Sequence, residues 1–342
     1  MSSDNIHADL LVPLRNVFNA VKCIRDRVRD GESGEAGGEF NLSNFWETLI
    51  ETVKATSQEA TKLSLAFSKS PLPSAEDAEK LAESMQKAVL VMSTVFYWLP
   101  KSQGLTLRRA VRDATGDVLD GVVQLLDVIL SSPLQSLSQE QLNSTGGVWA
   151  SCDHFEQLPR DNQAAVLAQL TSYTAVVKDA IEEMEQAQAE IQDPFADILD
   201  EDDIAARGNQ DTYWSEADRQ LMAPCLGLMK ASGACLRKMS YAVRTSGRVD
   251  TPENTAQLDD LADAARDISP SVDDLALTLY PPMDHSAVEL NACKLSSVLQ
   301  KVLDLVRATH VSSETDVSWV QFLQGAVEHN LGKVKTALNG SG

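Results

Sequence analysis

The sequence predicts an all-α protein, two antiparallel helical bundles joined by an acidic linker, and three observations carry that expectation. Apolar residues recur at steps of three and four in segment after segment, with almost no period-two alternation. The breaks between segments are short and rich in Ser, Thr, Asp, Pro and Gly, the residues that start and stop helices. One stretch, Asp179 through Asp203, holds eleven Asp or Glu and no Lys or Arg. It divides the chain into an N-terminal bundle over 1–192, a linker over 193–211 kept extended by like-charge repulsion, and a C-terminal bundle over 212–342.

The elements follow in order. Leu14, Val17, Val21, Ile24 and Val28 give a first helix that starts or kinks near Pro13, and the Gly-rich stretch 31–38 ends it. That stretch is long enough to let this helix join either bundle. Phe45, Leu49, Val53, Thr56, Ala60, Leu63 and Phe67 give a second. Ser74 caps a third, whose Leu81, Met85, Ala88, Met92, Val95 and Leu99 share one face, with Asp77 at the positive helix end. A fourth carries Leu107, Val111, Ala114, Val118, Val122, Leu125 and Ile129 and stops at Ser131-Ser132-Pro133. The connection from Pro100 to Gly104 is so short that the third and fourth helices are expected to pack as an antiparallel hairpin.

A half-length helix is expected over Val148 to Phe155, then a long one capped by Asp161 and carrying Val166, Leu170, Tyr173, Val177, Ile181 and Met184. After the linker, Ser215 and Asp218 have capping-box spacing and open a helix running to about Thr245. Thr251-Pro252 and Ser269-Pro270 each read as a cap followed by proline at the first helical position, and Pro281-Pro282 breaks the chain. Two final helices carry Leu295, Val298, Leu299, Val302, Leu305 and Val306, then Val320, Leu323, Val327, Leu331, Val334 and Leu338.

Charge narrows the function. Against 29 Lys+Arg stand 50 Asp+Glu, a formal net charge of -21, so phosphate backbones and anionic lipid are repelled and direct nucleic-acid or membrane partners are not expected. A basic protein surface is the natural complement, and Asp200, Glu201, Asp202 and Asp203 are the candidate residues for steering it. The amino terminus lacks the pattern of a secretory signal, and five scattered cysteines, never spaced C-x-x-C, suit buried thiols in a reducing compartment.

Enzyme motifs are missing. The sequence contains no phosphate-binding loop of the G-x-x-x-x-G-K-[ST] kind, no dinucleotide turn, no G-x-S-x-G elbow and no H-E-x-x-H. Cys152 and His154 are two ligand types where structural zinc takes four, so no metal, cofactor or catalytic residue is expected. Arg219-Gln220-Leu221-Met222 has the form of a short cyclin-docking peptide, but it lies within a predicted helix with Leu221 facing the core. Four Ser/Thr-Pro steps, at Ser70, Ser132, Thr251 and Ser269, suit helix punctuation or proline-directed phosphorylation.

Particular strings go further: LPKSQGLTLRRAVRDAT at 99–115, LPRDNQAA at 158–165, EEMEQA at 182–187, YWSE at 213–216 and ISPSVDDLALTLYPPM at 268–283. With them the chain resembles the Grap- and cyclin-D-interacting proteins, in order, from about Phe40 to Val334. The resemblance implies a non-enzymatic protein of cytoplasm and nucleus with talin- and vinculin-like bundles. It implies binding to D-type cyclins and a Grap-family adaptor, and lower phosphorylation of the retinoblastoma protein by the cyclin-D-dependent kinase. It also implies helix-loop-helix factors as partners, in the manner of inhibitor-of-differentiation proteins, and a talin-like cytoskeletal adaptor is the other alternative. The broad stripe Leu295 to Val306, however, suits a bundle interior better than a two-strand seam.

Overall fold

The computed structural model describes residues 3–31, 40–69, 71–131, 138–191, 214–312 and 316–339. Among them lie eleven α-helices, two single-turn 3-10 segments and no strand. The chain forms two compact units, Met1–Asp161 and Asn162–Gly342.

The first unit holds α1 (Ser3–Asp30), α2 (Leu42–Ala66), α3 (Ala75–Trp98), α4 (Leu105–Ser131) and α5 (Gln139–His154). They close into a ring: α1 packs on α4 and α3, α3 on α2, α2 on α5, and α5 on α4. Inside are Leu14 and Val21 of α1, Leu49 and Leu63 of α2, Met85 and Phe96 of α3, Leu107 and Val118 of α4, and Val148 of α5. Each is on the stripe that its helical period marks.

The hairpin expected of α3 and α4 is corrected. The two touch only lightly, because α1 packs on both of them and its buried Leu14, Val17, Val21 and Val28 take the contacts a hairpin partner would have made. α1 thus belongs to the first unit. α5 is also longer than expected, since Ser138 caps it and accepts from the Gln141 N–H. Asn143-Ser144-Thr145-Gly146-Gly147 reads as a breaker in sequence, yet Ser144 and Thr145 are buried on a polar helix face.

One buried cation fixes the end of this ring. Arg108 sits on α4 and donates to the main-chain carbonyl of Leu99, the C-cap of α3, and at 3.4 Å to that of Gly31, just past α1. Both acceptors lie at the negative ends of helices, where a cation is favoured. Gly31 reaches its position with φ of 70°, in the left-handed region that glycine enters without cost. The guanidinium also stacks 4.8 Å from the Phe96 ring centre. Burial lowers its pKa from the usual arginine value, but arginine stays charged at neutral pH.

The second unit holds α6 (Asn162–Ile191), α7 (Glu216–Ser246), α8 (Pro252–Ala265), α9 (Ile268–Thr278), α10 (His285–Ala308) and α11 (Asp316–Asn339). α6 packs on α7, α8 and α9; α7 on α11; α11 on α10; and α10 on α9 and α8. The short helices α8 and α9 together fill one side of this ring. α6 differs from expectation: its Val166, Leu170, Val177 and Met184 enter one core with Leu228, Leu261, Val272, Leu299 and Val327. The spatial division therefore falls between Asp161 and Asn162 rather than at residue 192, because composition marks the charged stretch while packing follows the apolar stripe of α6.

Several helix starts match their sequence signals. Ser74 accepts from the Asp77 N–H, Thr251 accepts from the Asn254 N–H with Pro252 at the first helical position, and Ser215 with Asp218 forms the capping box. Ser269-Pro270 is corrected: α9 begins at Ile268 with Asp267 as its cap, so Ser269 and Pro270 lie inside the first turn. Proline is tolerated there because first-turn amides have no intrahelical acceptor.

Asp218 ties two helix starts together. One carboxylate oxygen accepts the Ser215 N–H at 2.7 Å, and the other lies 2.6 Å from Nε2 of His285, the first residue of α10. Burial alone would raise its pKa, but the hydrogen bonds from His285 and Ser215 outweigh it and hold the carboxyl below its usual range.

Two stability measurements test these ties. Arg108→Met leaves the buried Leu99 carbonyl and the half-buried Gly31 carbonyl without this donor and is expected to cost roughly 2–4 kcal/mol in urea unfolding, with Arg108→Lys recovering part; an unchanged midpoint would rule the tie out. Asp218 takes its proton less readily folded than unfolded, so its contribution is present above about pH 4 and disappears as pH falls below that. Asp218→Asn is therefore expected to cost roughly 1–2 kcal/mol at pH 7 and less at pH 3. An equal cost at both would contradict the assignment.

Candidate interaction surface

Of the five cysteines expected to be buried, Cys152, Cys225 and Cys235 are, whereas Cys23 is exposed and Cys293 half-buried; burial pushes the thiols of Cys152, Cys225 and Cys235 up to about 12, with Asp153 adding to the rise at Cys152. Such thiols are protonated at neutral pH and are poor nucleophiles. Among the described residues no group of three or more His, Cys, Asp or Glu is placed to hold a metal ion. Nor is any helix among them long and apolar enough to cross a membrane.

The acidic residues of α6 do not converge on one another: Glu182 pairs with Lys178, Glu185 with Lys230, and Glu183 accepts from the Tyr280 hydroxyl. Leu221 of the peptide-like Arg219-Gln220-Leu221-Met222 is buried as expected, and Met222 is buried beside it. Asp200, Glu201, Asp202 and Asp203 lie outside the described residues.

The surface that stands out is the seam between α2 and α5, the least extensive contact in the first ring. Its centre is polar. The Ser64 and Thr145 hydroxyls meet at 2.8 Å, and Gln141 Nε2 donates to the Ser64 carbonyl at 2.7 Å, all three residues being buried. Further along, the Trp149 indole N–H donates to the Thr61 hydroxyl at 2.9 Å. The pairings Ser64 with Thr145 and Thr61 with Trp149 run in opposite chain directions, so the two helices are antiparallel.

Beside this polar line stand three large apolar side chains with much of their surface in solvent: Leu65 at 60%, Leu142 at 47% and Trp149 at 45%. Leu65 adjoins Ser64 in the chain, and Leu142 adjoins Gln141. Leu142 and Trp149 are seven residues apart on α5, and between them Gly146 leaves its would-be Cβ in open space. Apolar knobs separated by an open backbone position make a surface that another macromolecule can cover.

At its other end the seam becomes a shallow cleft of about 210 Å³, lined among others by Val53, Lys54 and Ser57 of α2 and by Cys152, Asp153 and Glu156 from the end of α5 onward. Small-molecule sites run to roughly 300–1,000 Å³ and enclose their ligand, so the cleft suits a protruding side chain better than a metabolite. Mixed apolar and charged groups along one groove are the composition of a protein interface.

Apolar stripes in the sequence do not mark this face, because the side of α5 that meets α2 carries Gln141 and Thr145. The available signal was Ser138 as a cap, followed by Leu142, Gly146 and Trp149 at helix spacing.

If Leu65 and Leu142 belong to the surface rather than the core, replacing both by Ser should change unfolding free energy by no more than about 0.5 kcal/mol each. Leu49→Ala, in the core of the same unit, should cost roughly 2–5 kcal/mol. Denaturation of the three variants decides it, and a large loss from the surface pair would mean that they support the fold.

Known proteins match this chain along its length. The family model described as Grap2 and cyclin-D-interacting, N-terminal, matches residues 48–190, and its C-terminal counterpart matches 199–304. The match divides at the acidic segment, whereas the compact units divide at Asp161, so α6 falls in the N-terminal family region and in the second spatial unit. A cyclin-D1-binding protein 1 homolog of Danio rerio is 64% identical over 340 residues, covering 99% of each chain. One of Xenopus laevis is 57% identical over 329 residues, 96% of this chain and 99% of that one. The Homo sapiens cyclin-D1-binding protein 1 is 43% identical over 341 residues, 96% of this chain and 94% of its own. The chain belongs to the Grap2- and cyclin-D-interacting family.

Proposed function

We propose that this chain is a non-enzymatic interaction protein that binds D-type cyclins. Acting in cytoplasm and nucleus, it lowers phosphorylation of the retinoblastoma protein by the cyclin-D-dependent kinase and so restrains entry into the cell cycle. The observation that carries the reading is the near full-length identity to proteins named for cyclin-D1 binding. The α2–α5 seam is the face assigned to the cyclin, since it offers apolar knobs and a cleft on one compact unit. The acidic residues Asp200, Glu201, Asp202 and Asp203 serve approach rather than grip, because long-range charge acts mainly on the association rate.

Sequestration of helix-loop-helix factors has less support. The apolar faces of α3 and α4, and the stripe Leu295, Leu299, Val302 and Val306 of α10, are buried within their units. Offering them to a second protein requires a unit to come apart.

Surface plasmon resonance with an immobilised D-type cyclin tests the reading. The folded chain is expected to bind saturably, Leu65→Glu with Leu142→Glu to weaken binding at least tenfold, and Phe322→Glu on α11 to leave it unchanged. Replacing the four acids by Asn or Gln should slow association at low salt. No saturable binding overturns the cyclin reading; binding indifferent to the seam variant overturns only the choice of face.

A further inference from the structure

Of the four Ser/Thr-Pro steps, the two among the described residues, Thr251 and Ser269, differ in three dimensions. Ser70 and Ser132 lie outside the described residues. Ser269 is 8% exposed within the first turn of α9, where no enzyme reaches its hydroxyl. Thr251 is exposed, and so are Arg248, Val249 and Asp250 before it and Pro252 and Glu253 after it. Its backbone is extended, with φ of -130° and ψ of 151°, and the connection from Gly247 to Thr251 has no regular structure. An exposed, extended segment ending in Thr-Pro is the form in which a proline-directed kinase takes its substrate.

We propose that Thr251 is a modification site, phosphorylated by a proline-directed Ser/Thr kinase. This rests on the fold alone and not on the cyclin reading. In the transfer the Thr251 Oγ forms a bond to the γ-phosphorus of ATP, the bond from that phosphorus to the bridging oxygen breaks, ADP leaves, and the hydroxyl proton passes to the base of the kinase.

The position of Thr251 gives the phosphate a structural consequence. Its hydroxyl accepts the Asn254 N–H at 3.1 Å at the start of α8, so the added dianion lies at the positive end of that helix, with Arg248 three residues away and Asp250 and Glu253 opposing it. The segment is tied to the far end of α10 through His310. The Arg248 N–H donates to His310 Nε2 at 3.0 Å, which leaves Nδ1 as the protonated nitrogen, donating to Gln257 Oε1 at 2.8 Å.

Only the neutral ring can make this pair of bonds. Burial holds the His310 pKa below its usual value, Arg248 lowers it further and Asp250 opposes both. A phosphate one residue beyond Asp250 acts as Asp250 does, in the direction of protonation. Protonated Nε2 cannot accept the Arg248 N–H, so the modification loosens the connection between α7 and α8 from the end of α10.

The test uses the full chain with ATP and two proline-directed kinases, a cyclin-dependent kinase and a mitogen-activated one, followed by peptide mass spectrometry. Phosphate is expected on Thr251 of the native chain, none at that peptide in Thr251→Val, and at least tenfold less in Pro252→Ala, which keeps the hydroxyl. Circular dichroism confirms that each variant is folded. NMR titration of the His310 ring should show a higher midpoint in the phosphorylated chain. If neither kinase modifies Thr251 in the native chain, or only denatured chain is modified there, the proposal is wrong; an unmoved His310 midpoint removes the coupling.

Discussion

An α-helix satisfies its own backbone polar groups except at its ends, so two demands remain once the helices have formed: each apolar stripe must be covered, and each buried end must find partners. The two rings meet the first demand by placing stripes inward all round, with α8 and α9 acting as one position in the second unit. The α2–α5 seam is where this rule is relaxed. There the contact is hydrogen-bonded through Ser64, Thr145 and Gln141, and apolar surface is left outside at Leu65, Leu142 and Trp149. A surface that another protein can cover exists because the interior contact at this place uses polar groups instead.

The second demand explains where four of the five family-resembling strings sit, the exception being EEMEQA within α6. Residues 99–115 contain both the Leu99 carbonyl and the Arg108 that caps it. In the string at 158–165, the Arg160 carbonyl accepts from the Trp46 indole and its guanidinium lies 4.6 Å from that ring's centre, while Asn162 reaches the Asp259 carboxylate. YWSE supplies Trp214, which donates to the Leu279 carbonyl, and Ser215 of the capping box. Leu279 belongs to the string at 268–283. These stretches hold the ends of helices against one another, which is work that only particular side chains do, whereas many apolar residues can fill a stripe.

That difference governs what was legible beforehand. The stripes of α2, α3, α4, α6, α7, α10 and α11 are readable because burial at helix pitch repeats every three or four residues. The starts at Ser74, Ser215 and Thr251 are readable because a cap is local. The first half of α5 escaped, since its buried face is polar, and the light contact between α3 and α4 escaped because loop length constrains which helix ends meet and not which helix lies alongside. Of the candidate site, the acidic residues were visible as composition, whereas the seam needed residues 81 apart in the chain, Ser64 and Thr145, to be set side by side.

By itself the sequence determined that this protein is helical, where most helices begin and which faces are apolar, because those properties depend on neighbours within one or two turns. Tertiary structure alone decided that α6 joins the second unit, that α1 packs against both α3 and α4, that Thr251 is exposed while Ser269 is buried, and which groove is open. Each of these depends on contacts between distant segments, and the same apolar stripe is satisfied equally by any complementary partner until packing, polar pairing and chain connectivity together select one.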